Sequence, residues 1–301
     1  LEEWHASREK AGRPKAYGEA GLISPLLRPI PMPGYTPGFP RLQHVVDAEW
    51  AILRSEPQWN ARLTLSLKGA RAPYTHHNQP DVGAISLEVA GERLLIDPGY
   101  YKEKPQEHCL VEVDGHLPRK GQEHEGRILR CGESPHAVWA ACDATGAYGG
   151  GVSRVDRLVV VVGAEAVVIL DEIIPVKSGP GRVRAWWQGG GPTRALSKSA
   201  VTVMGERSTL RMDVDGAIHE GTLLPERDLH DTHWGYHFAD CRWFSWHWDL
   251  EASLPVITVI QVGTHRTAPQ IRRDHPRVAT VAMDGGPSLD LVRSSAGWVP
   301  G

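Results

Sequence analysis

Phenylalanine is scarce in this chain of 301 residues: there are three, against eleven Trp and seven Tyr. Cysteine is also scarce. Cys109, Cys131, Cys142 and Cys241 are the four, and no two have the CxxC spacing of a zinc ribbon or a dithiol redox site. They read as buried or free thiols, with one disulfide left open for an oxidising compartment. No apolar run reaches the roughly 18 residues that a membrane-spanning helix needs. Basic charge is not in excess either: 33 Lys and Arg face 36 Asp and Glu, a net charge of −3. Nothing in the overall balance draws the chain to nucleic acid. An acidic polymer would need a local basic patch, which composition does not reveal. No long amphipathic helix pattern separates the apolar segments, which excludes a βαβ architecture. No signal peptide is visible. The chain opens Leu1-Glu2-Glu3-Trp4 without Met, so sequence is expected to precede it.

Short strand-like segments are abundant. Arg62 to Leu67 alternates Arg, Thr and Ser with three Leu, the pattern of a half-buried strand. Arg157 to Val162 and Ala166 to Leu170 are nearly continuous Val and Ile, so both of their faces should be covered. Gly163-Ala164-Glu165 joins them as a hairpin loop. Further strands are expected at Glu49 to Leu53, Cys109 to Val113, Gly126 to Cys131, Ala137 to Cys142 and Arg182 to Trp187. Others follow at Ala200 to Met204, Thr209 to Val214, Arg242 to Leu250, Val256 to Val262, Val278 to Met283 and Leu289 to Val292. Turn signals separate them every 8 to 15 residues or so, which predicts an all-β fold, a large antiparallel β-sandwich of two packed sheets. Before it, Pro25, Pro29, Pro31, Pro33, Pro37 and Pro40 exclude continuous helix or strand. The expected organisation is a linker and tail over residues 1–44 and one β-sandwich domain over residues 45–301.

One stretch concentrates polar groups. Tyr74-Thr75-His76-His77-Asn78-Gln79-Pro80-Asp81 precedes a strand in which Ile85, Leu87 and Val89 alternate with Ser86 and Glu88. Ala90-Gly91-Glu92 makes the turn, with Gly supplying positive φ. The return strand Arg93 to Ile96 ends on Asp97-Pro98-Gly99-Tyr100-Tyr101. Antiparallel pairing brings the distant ends of a hairpin together, so the first polar cluster should face Asp97.

These motifs resemble the heparinase II/III family of polysaccharide lyases. The resemblance rests on His77-Asn78-Gln79-Pro80-Asp81, the Gly-turn hairpin, Ile96-Asp97-Pro98-Gly99, and His108-Cys109-Leu110-Val111-Glu112-Val113-Asp114-Gly115, which is similar to the family's His-Asn-Thr strand. The long strands of residues 153 to 173 add to it, and the spelling of residues 77–81 is most similar to the heparinase III branch. It is good over residues 45–175 and loose beyond. It implies β-elimination on a uronic-acid polysaccharide, heparan sulfate-like or related. It also implies a periplasmic or secreted location, and a helical toroid ahead of residue 1 that supplies the main catalytic Tyr and Asn or His.

The resemblance further implies site residues. Gln79, Asp97 and His108 occupy positions that carry metal ligands in the family, with Gln79 where a His is usual. A carboxylate and an imidazole suit Zn, whereas an amide oxygen and a carboxylate suit Ca. Such a metal would be structural, and the rival reading is a hydrogen-bond network holding the hairpin without metal. His77 matches a cleft-facing position, and with Asn78 it is expected to neutralise the substrate carboxylate. Tyr101 is the local candidate for proton transfer, and His76 and Tyr100 are candidate substrate contacts. Asp81 reads as a turn residue accepting backbone N–H groups. His230, His233, Trp234 and His237 read as a solvated loop, and Trp243, Trp246 and Trp248 as core packing. The alternative function is a non-catalytic β-sandwich that binds a glycan or a partner.

Overall fold

The computed structural model describes residues 38–70, 79–97, 104–120, 125–176, 181–215, 218–223, 230–231, 236–237, 242–250, 255–263, 266–283, 286 and 288–301. All the strand pairs within them are antiparallel, and no α-helix occurs among the described residues. In chain order, β1 (Leu42–Val45), β2 (Trp50–Arg54), β3 (Leu63–Lys68), β4 (Ile85–Val89) and β5 (Glu92–Leu95) form a meander, followed by the short β6 (Val111–Val113). A second meander comprises β7 (Arg127–Glu133), β8 (Ala137–Asp143), β9 (Val152–Val162) and β10 (Ala166–Pro175). The chain then alternates between sheets through β11 (Gly181–Gly189), β12 (Thr193–Ser197), β13 (Ala200–Met204), β14 (Thr209–Asp215) and β15 (Ile218–Leu223). The two-residue strands β16 (His230–Asp231) and β17 (Tyr236–His237) pair with each other. After them come β18 (Arg242–Leu250) and β19 (Val256–Val262), then a final meander of β20 (Gln270–His275), β21 (Val278–Ala282), β22 (Ser288–Ser294) and β23 (Gly297–Pro300).

Apart from the β16–β17 pair, the described strands form three stacked sheets. The first runs β1-β2-β3-β4-β5-β11-β18-β15, with β6 also on β11. The second runs β12-β13-β14-β19-β10-β9-β8-β7, and the third is the β20–β23 meander. Strand periodicity shows why three layers are needed. On β9, Val155, Val159 and Val161 pack toward the first sheet, whereas Leu158, Val160 and Val162 pack toward the third. On β10 the same division separates Val167, Ile169 and Ile173 from Ala166, Val168 and Leu170. The second sheet is therefore apolar on both faces, and each fully buried Val or Leu contributes roughly 1.5–3 kcal/mol. The sandwich and the β9–β10 hairpin agree with the sequence expectation. The third sheet is an addition to the two sheets anticipated. It covers the outer face with Ala279, Val281, Leu289, Leu291 and Trp298.

Within the first interface the large aromatics are core residues. Trp187 meets Trp246 edge to face at 6.4 Å, and Phe244 meets Trp246 at 5.3 Å in the same arrangement. Trp246 thus packs as expected. Cys109, Cys131 and Cys142 are free thiols. Burial pushes the Cys109 thiol up to about 12, so it is inert at neutral pH.

The β4–β5 turn carries local strain. Ala90 has φ 49° and Gly91 has φ 82°. Both central residues of this two-residue turn are left-handed, a geometry that favours Asn-Gly. Ala pays a Cβ clash there of roughly 1–2 kcal/mol. Replacing exposed Ala90 by Asn is expected to stabilise the chain by about 0.5–1 kcal/mol. The urea midpoint checks this: it should rise with an unchanged slope, and a midpoint that falls contradicts the assignment.

Candidate metal centre at the hairpin ends

Two features of the backbone assemble the site. The first is the β4–β5 hairpin, whose pairing of Leu87 with Leu95 brings the start of β4 next to the end of β5. Asp81 leads into β4 and Asp97 follows β5, so they meet as the sequence suggested. The second is a change of partner along the edge of β11. Gly189 pairs with Leu95 of β5, and Ile96 N–H donates to the Gln188 carbonyl at 3.0 Å. The chain then leaves the sheet and returns at Leu110, which exchanges hydrogen bonds with Trp186 at 2.8 and 3.1 Å and continues into β6. Asp97 is the first residue after the departure, and His108 lies two residues before the return. Gly190 permits the close crossing, because a Cβ there would collide with the Arg93 carbonyl.

His108 is set by its own local structure. Pro105–Glu107 forms a single 3₁₀ turn, and His108 N–H donates to the Pro105 carbonyl at 3.1 Å. The Gln188 side-chain amide holds the turn by donating to the Gln106 carbonyl at 2.7 Å. On the other side, Asp81 sits in a turn closed by Ala84 N–H donating to the Asp81 carbonyl at 2.9 Å, with Gly83 at φ 82°.

The result is a cluster of Asp81, Asp97 and His108 whose candidate ligand atoms all lie within 4.8 Å of one another. His108 is fully buried and Asp81 nearly so, while the Asp97 side chain is 36% exposed and gives the cluster its solvent side. His108 Nδ1 lies 2.9 Å from Asp97 Oδ2. Burial alone would lower the imidazole pKa, but the hydrogen bond that the imidazole N–H donates to Asp97 and the charges of Asp97 and Asp81 raise it. Asp81 Oδ2 accepts from Lys68 Nζ at 2.6 Å. Burial raises the Asp81 pKa in spite of the Lys68 charge beside it.

Nine buried side-chain polar atoms have no hydrogen-bond partner among the described residues, and two of them belong to this cluster: Asp81 Oδ1 and His108 Nε2. Leaving such atoms unpaired costs about 1–3 kcal/mol each. A cation would satisfy both. The donor set fits: a neutral imidazole oriented by a carboxylate on its other nitrogen is a common metal ligand, and carboxylates complete such sites. The cluster can therefore hold a metal ion.

Two expected ligands, Asp97 and His108, meet directly. Gln79, the third, is buried two residues ahead of Asp81. Asp81 corrects the sequence reading. Its side chain does not cap backbone N–H groups, because its hydrogen-bond partner is the Lys68 ammonium, and it stands in the cluster instead. The alternation of Lys68 with buried Leu63, Leu65 and Leu67 places it on the opposite face of β3 from those core residues. That was the signal in the sequence for a cation near the hairpin end. His76, His77, Asn78, Tyr100 and Tyr101 lie outside the described residues, as do His233, Trp234 and Cys241.

None of the known family profiles matches this chain, and no curated protein matches it in sequence. Solved structures do match it in fold. A heparinase III crystal structure superposes with a TM-score of 0.67 at 15% identity, over 86% of this chain and 43% of that one. The heparan sulfate lyase HepC from Pedobacter heparinus gives 0.65 at 15% identity, over 83% and 42%. A second heparinase III gives 0.69 at 16% identity, over 86% and 43%. The chain thus shares the fold of part of these lyases and spans less than half of their length.

The Lys68–Asp81 pair makes a direct prediction. Lys68→Met leaves the buried Asp81 carboxylate without its cation, an arrangement that costs about 3–5 kcal/mol. Chemical denaturation of the metal-free protein should show a loss of that size, and a loss below about 1 kcal/mol would mean that Lys68 contributes only as an exposed pair does.

Proposed function

We propose that the chain is the β-sandwich part of a polysaccharide lyase that cleaves uronic-acid-containing glycans, heparan sulfate-like or related, by β-elimination. The observation that carries the reading is the fold shared with heparinase III over 86% of the chain and with a heparan sulfate lyase over 83%. Fold alone does not fix chemistry, so the residues beside the cluster bear the rest of the argument. Asn78 and His77 immediately precede Gln79, and Tyr100 and Tyr101 follow Asp97 by three and four positions. Whatever holds Asp81, Asp97 and His108 together also fixes the chain beside the two segments that carry these groups.

Elimination requires two things of the protein. The uronate carboxylate must be neutralised so that the C5 proton becomes acidic, and a base must remove that proton as the 4-linked oxygen departs. In this reading His77 and Asn78 hydrogen-bond the carboxylate, Tyr101 serves proton transfer, and His76 and Tyr100 contact the sugar. The principal base comes from a helical domain joined ahead of this chain. The enzyme is periplasmic or secreted. Gln79, Asp81, Asp97 and His108 hold a divalent cation, Zn or Ca, with a structural role: when bound, it neutralises the two carboxylates. The protein's own contribution is then to fix where the flanking segments enter and leave the sheet.

The activity test uses heparan sulfate, hyaluronan, chondroitin and alginate, following the ultraviolet absorbance of the unsaturated product. The chain alone is expected to be close to inactive, and the protein including its upstream coding sequence to be active. His77→Ala in that longer protein should lower turnover by about 10²–10⁴-fold with an unchanged melting curve. No product from any of the four polymers would sink the lyase reading. Glycan binding without cleavage would favour the non-catalytic alternative.

The cation has its own test. At a free concentration 100 times its Kd, a metal that binds only the folded chain stabilises it by about 2.7 kcal/mol. Calcium and zinc titrations with thermal melting, before and after chelator treatment, should show one of them doing so. Identical melting with and without both metals would leave the hydrogen-bond network as the role of the cluster.

A further inference from the structure

The interface between the first and second sheets is apolar except at one end. There Arg157 of β9 lies opposite Asp171 of β10, on the faces that point to the first sheet. Both are 2% exposed. Arg157 Nε and Nη2 donate to the two Asp171 oxygens at 2.7 and 3.0 Å, the planar two-pronged geometry that arginine favours. The remaining terminal nitrogen does something different. Arg157 Nη1 donates to the Gly83 carbonyl at 2.7 Å and to the Cys109 carbonyl at 2.8 Å.

These two acceptors belong to the other sheet and to two separate chain segments. Gly83 is two residues after Asp81, and Cys109 is one residue after His108. Both carbonyls lie in irregular backbone, and no backbone N–H among the described residues takes either one. A buried cross-strand pair that only joined β9 to β10 would have no use for donors on the opposite layer. A second tether runs the same way: the buried Tyr148 hydroxyl donates to the Val111 carbonyl at 2.7 Å, just beyond the Cys109 contact.

We propose that Arg157, fixed by Asp171, is a positioning residue that sets the separation of Asp81 and His108 by holding the Gly83 and Cys109 carbonyls on one nitrogen. The inference rests on the reading of the cluster as a cation site, and extends it to a residue in the other sheet that touches none of the ligand side chains. Each ligand is one or two peptide units from a carbonyl that cannot move without breaking a charge-assisted hydrogen bond. The fork also leaves the guanidinium no freedom to follow a displaced loop, because Asp171 grips its other edge. A lysine could pair with Asp171 but cannot present two further donors in that plane.

The test replaces the pair together, as Arg157→Met with Asp171→Leu, so that no unpaired charge is left in the core. Two quantities are read on the folded protein: calcium and zinc affinity by calorimetry, and amide hydrogen exchange at Gly83, Ala84 and Leu110, with amides of β13 and β14 as the control. The affinity of whichever metal binds the parent chain should fall about 10–100-fold, the range for groups that orient ligands from outside. Exchange at the three named amides should accelerate at least about tenfold while the control amides stay unchanged. Parent-like affinity together with parent-like exchange overturns the proposal, since a pair that merely joined strands would leave both untouched. A parent chain that binds neither metal defeats the cation reading alone; the exchange measurement then decides whether Arg157 positions the two segments. If the double variant does not fold, Arg157→Lys provides the same readouts with the charge retained, and the same two results decide.

Discussion

Burial of β9 and β10 on both faces is the constraint on which the rest of the structure depends. From Leu158 to Val162 and from Ala166 to Leu170 their side chains are apolar at every position, so neither face of that part of the hairpin tolerates water. One face is covered by the meander β1–β5 with β11 and β18, and the other by β20–β23. This requirement makes the fold a stack of three sheets. It also makes the few polar groups on the inner strands informative. Arg157 and Asp171 occupy the interface between the first two sheets, where two hydrophobic side chains of like size would pack without any desolvation cost. Their placement beneath the turn of Gly83 and the bend of Cys109 connects the core directly to the cluster above it.

That cluster follows from where strands end. A hairpin of matched strands returns its two ends to the same place, and the β11 edge is shared by β5 and β6. Three segments that are distant in sequence therefore converge on one point: the turn before β4, the exit from β5 and the approach to β6. Two carboxylates meet one ammonium there, and their charges raise the pKa of the nearby imidazole in spite of burial. A divalent cation would take the place of the imidazole proton and fill the two unpaired buried atoms of the cluster together.

Much of this was legible in the sequence. The alternating Leu63, Leu65 and Leu67 and the unbroken valines of β9 gave strand type and burial, because periodicity reports directly on which faces are covered. The meeting of Asp97 with the start of β4 was legible because hairpin geometry is local. The third sheet was not. β20 reads Gln-Ile-Arg-Arg-Asp-His and β23 reads Gly-Trp-Val-Pro, and neither has the apolar content that marks a strand. They are strands because β21 and β22, which supply most of the core residues of this sheet, need partners. Asp81 was misread because Lys68, thirteen residues earlier in β3, defines its environment, and that contact depends on the register of β3 against β4. Arg157 was hidden for the same reason: the alternation of the valine strand shows that it points inward, but not which carbonyls lie across the interface.

The account stands or falls on whether the hairpin ends and the His108 bend form one cation site. The most direct measurement is anomalous diffraction from crystals of the chain grown with zinc, and separately with calcium replaced by a heavier analogue. A single peak is expected within about 2.0–2.6 Å of Asp81 Oδ1 and His108 Nε2, with Asp97 on the other imidazole nitrogen. No peak at that position with either ion, and Asp81 Oδ1 and His108 Nε2 satisfied by ordered water instead, would contradict it.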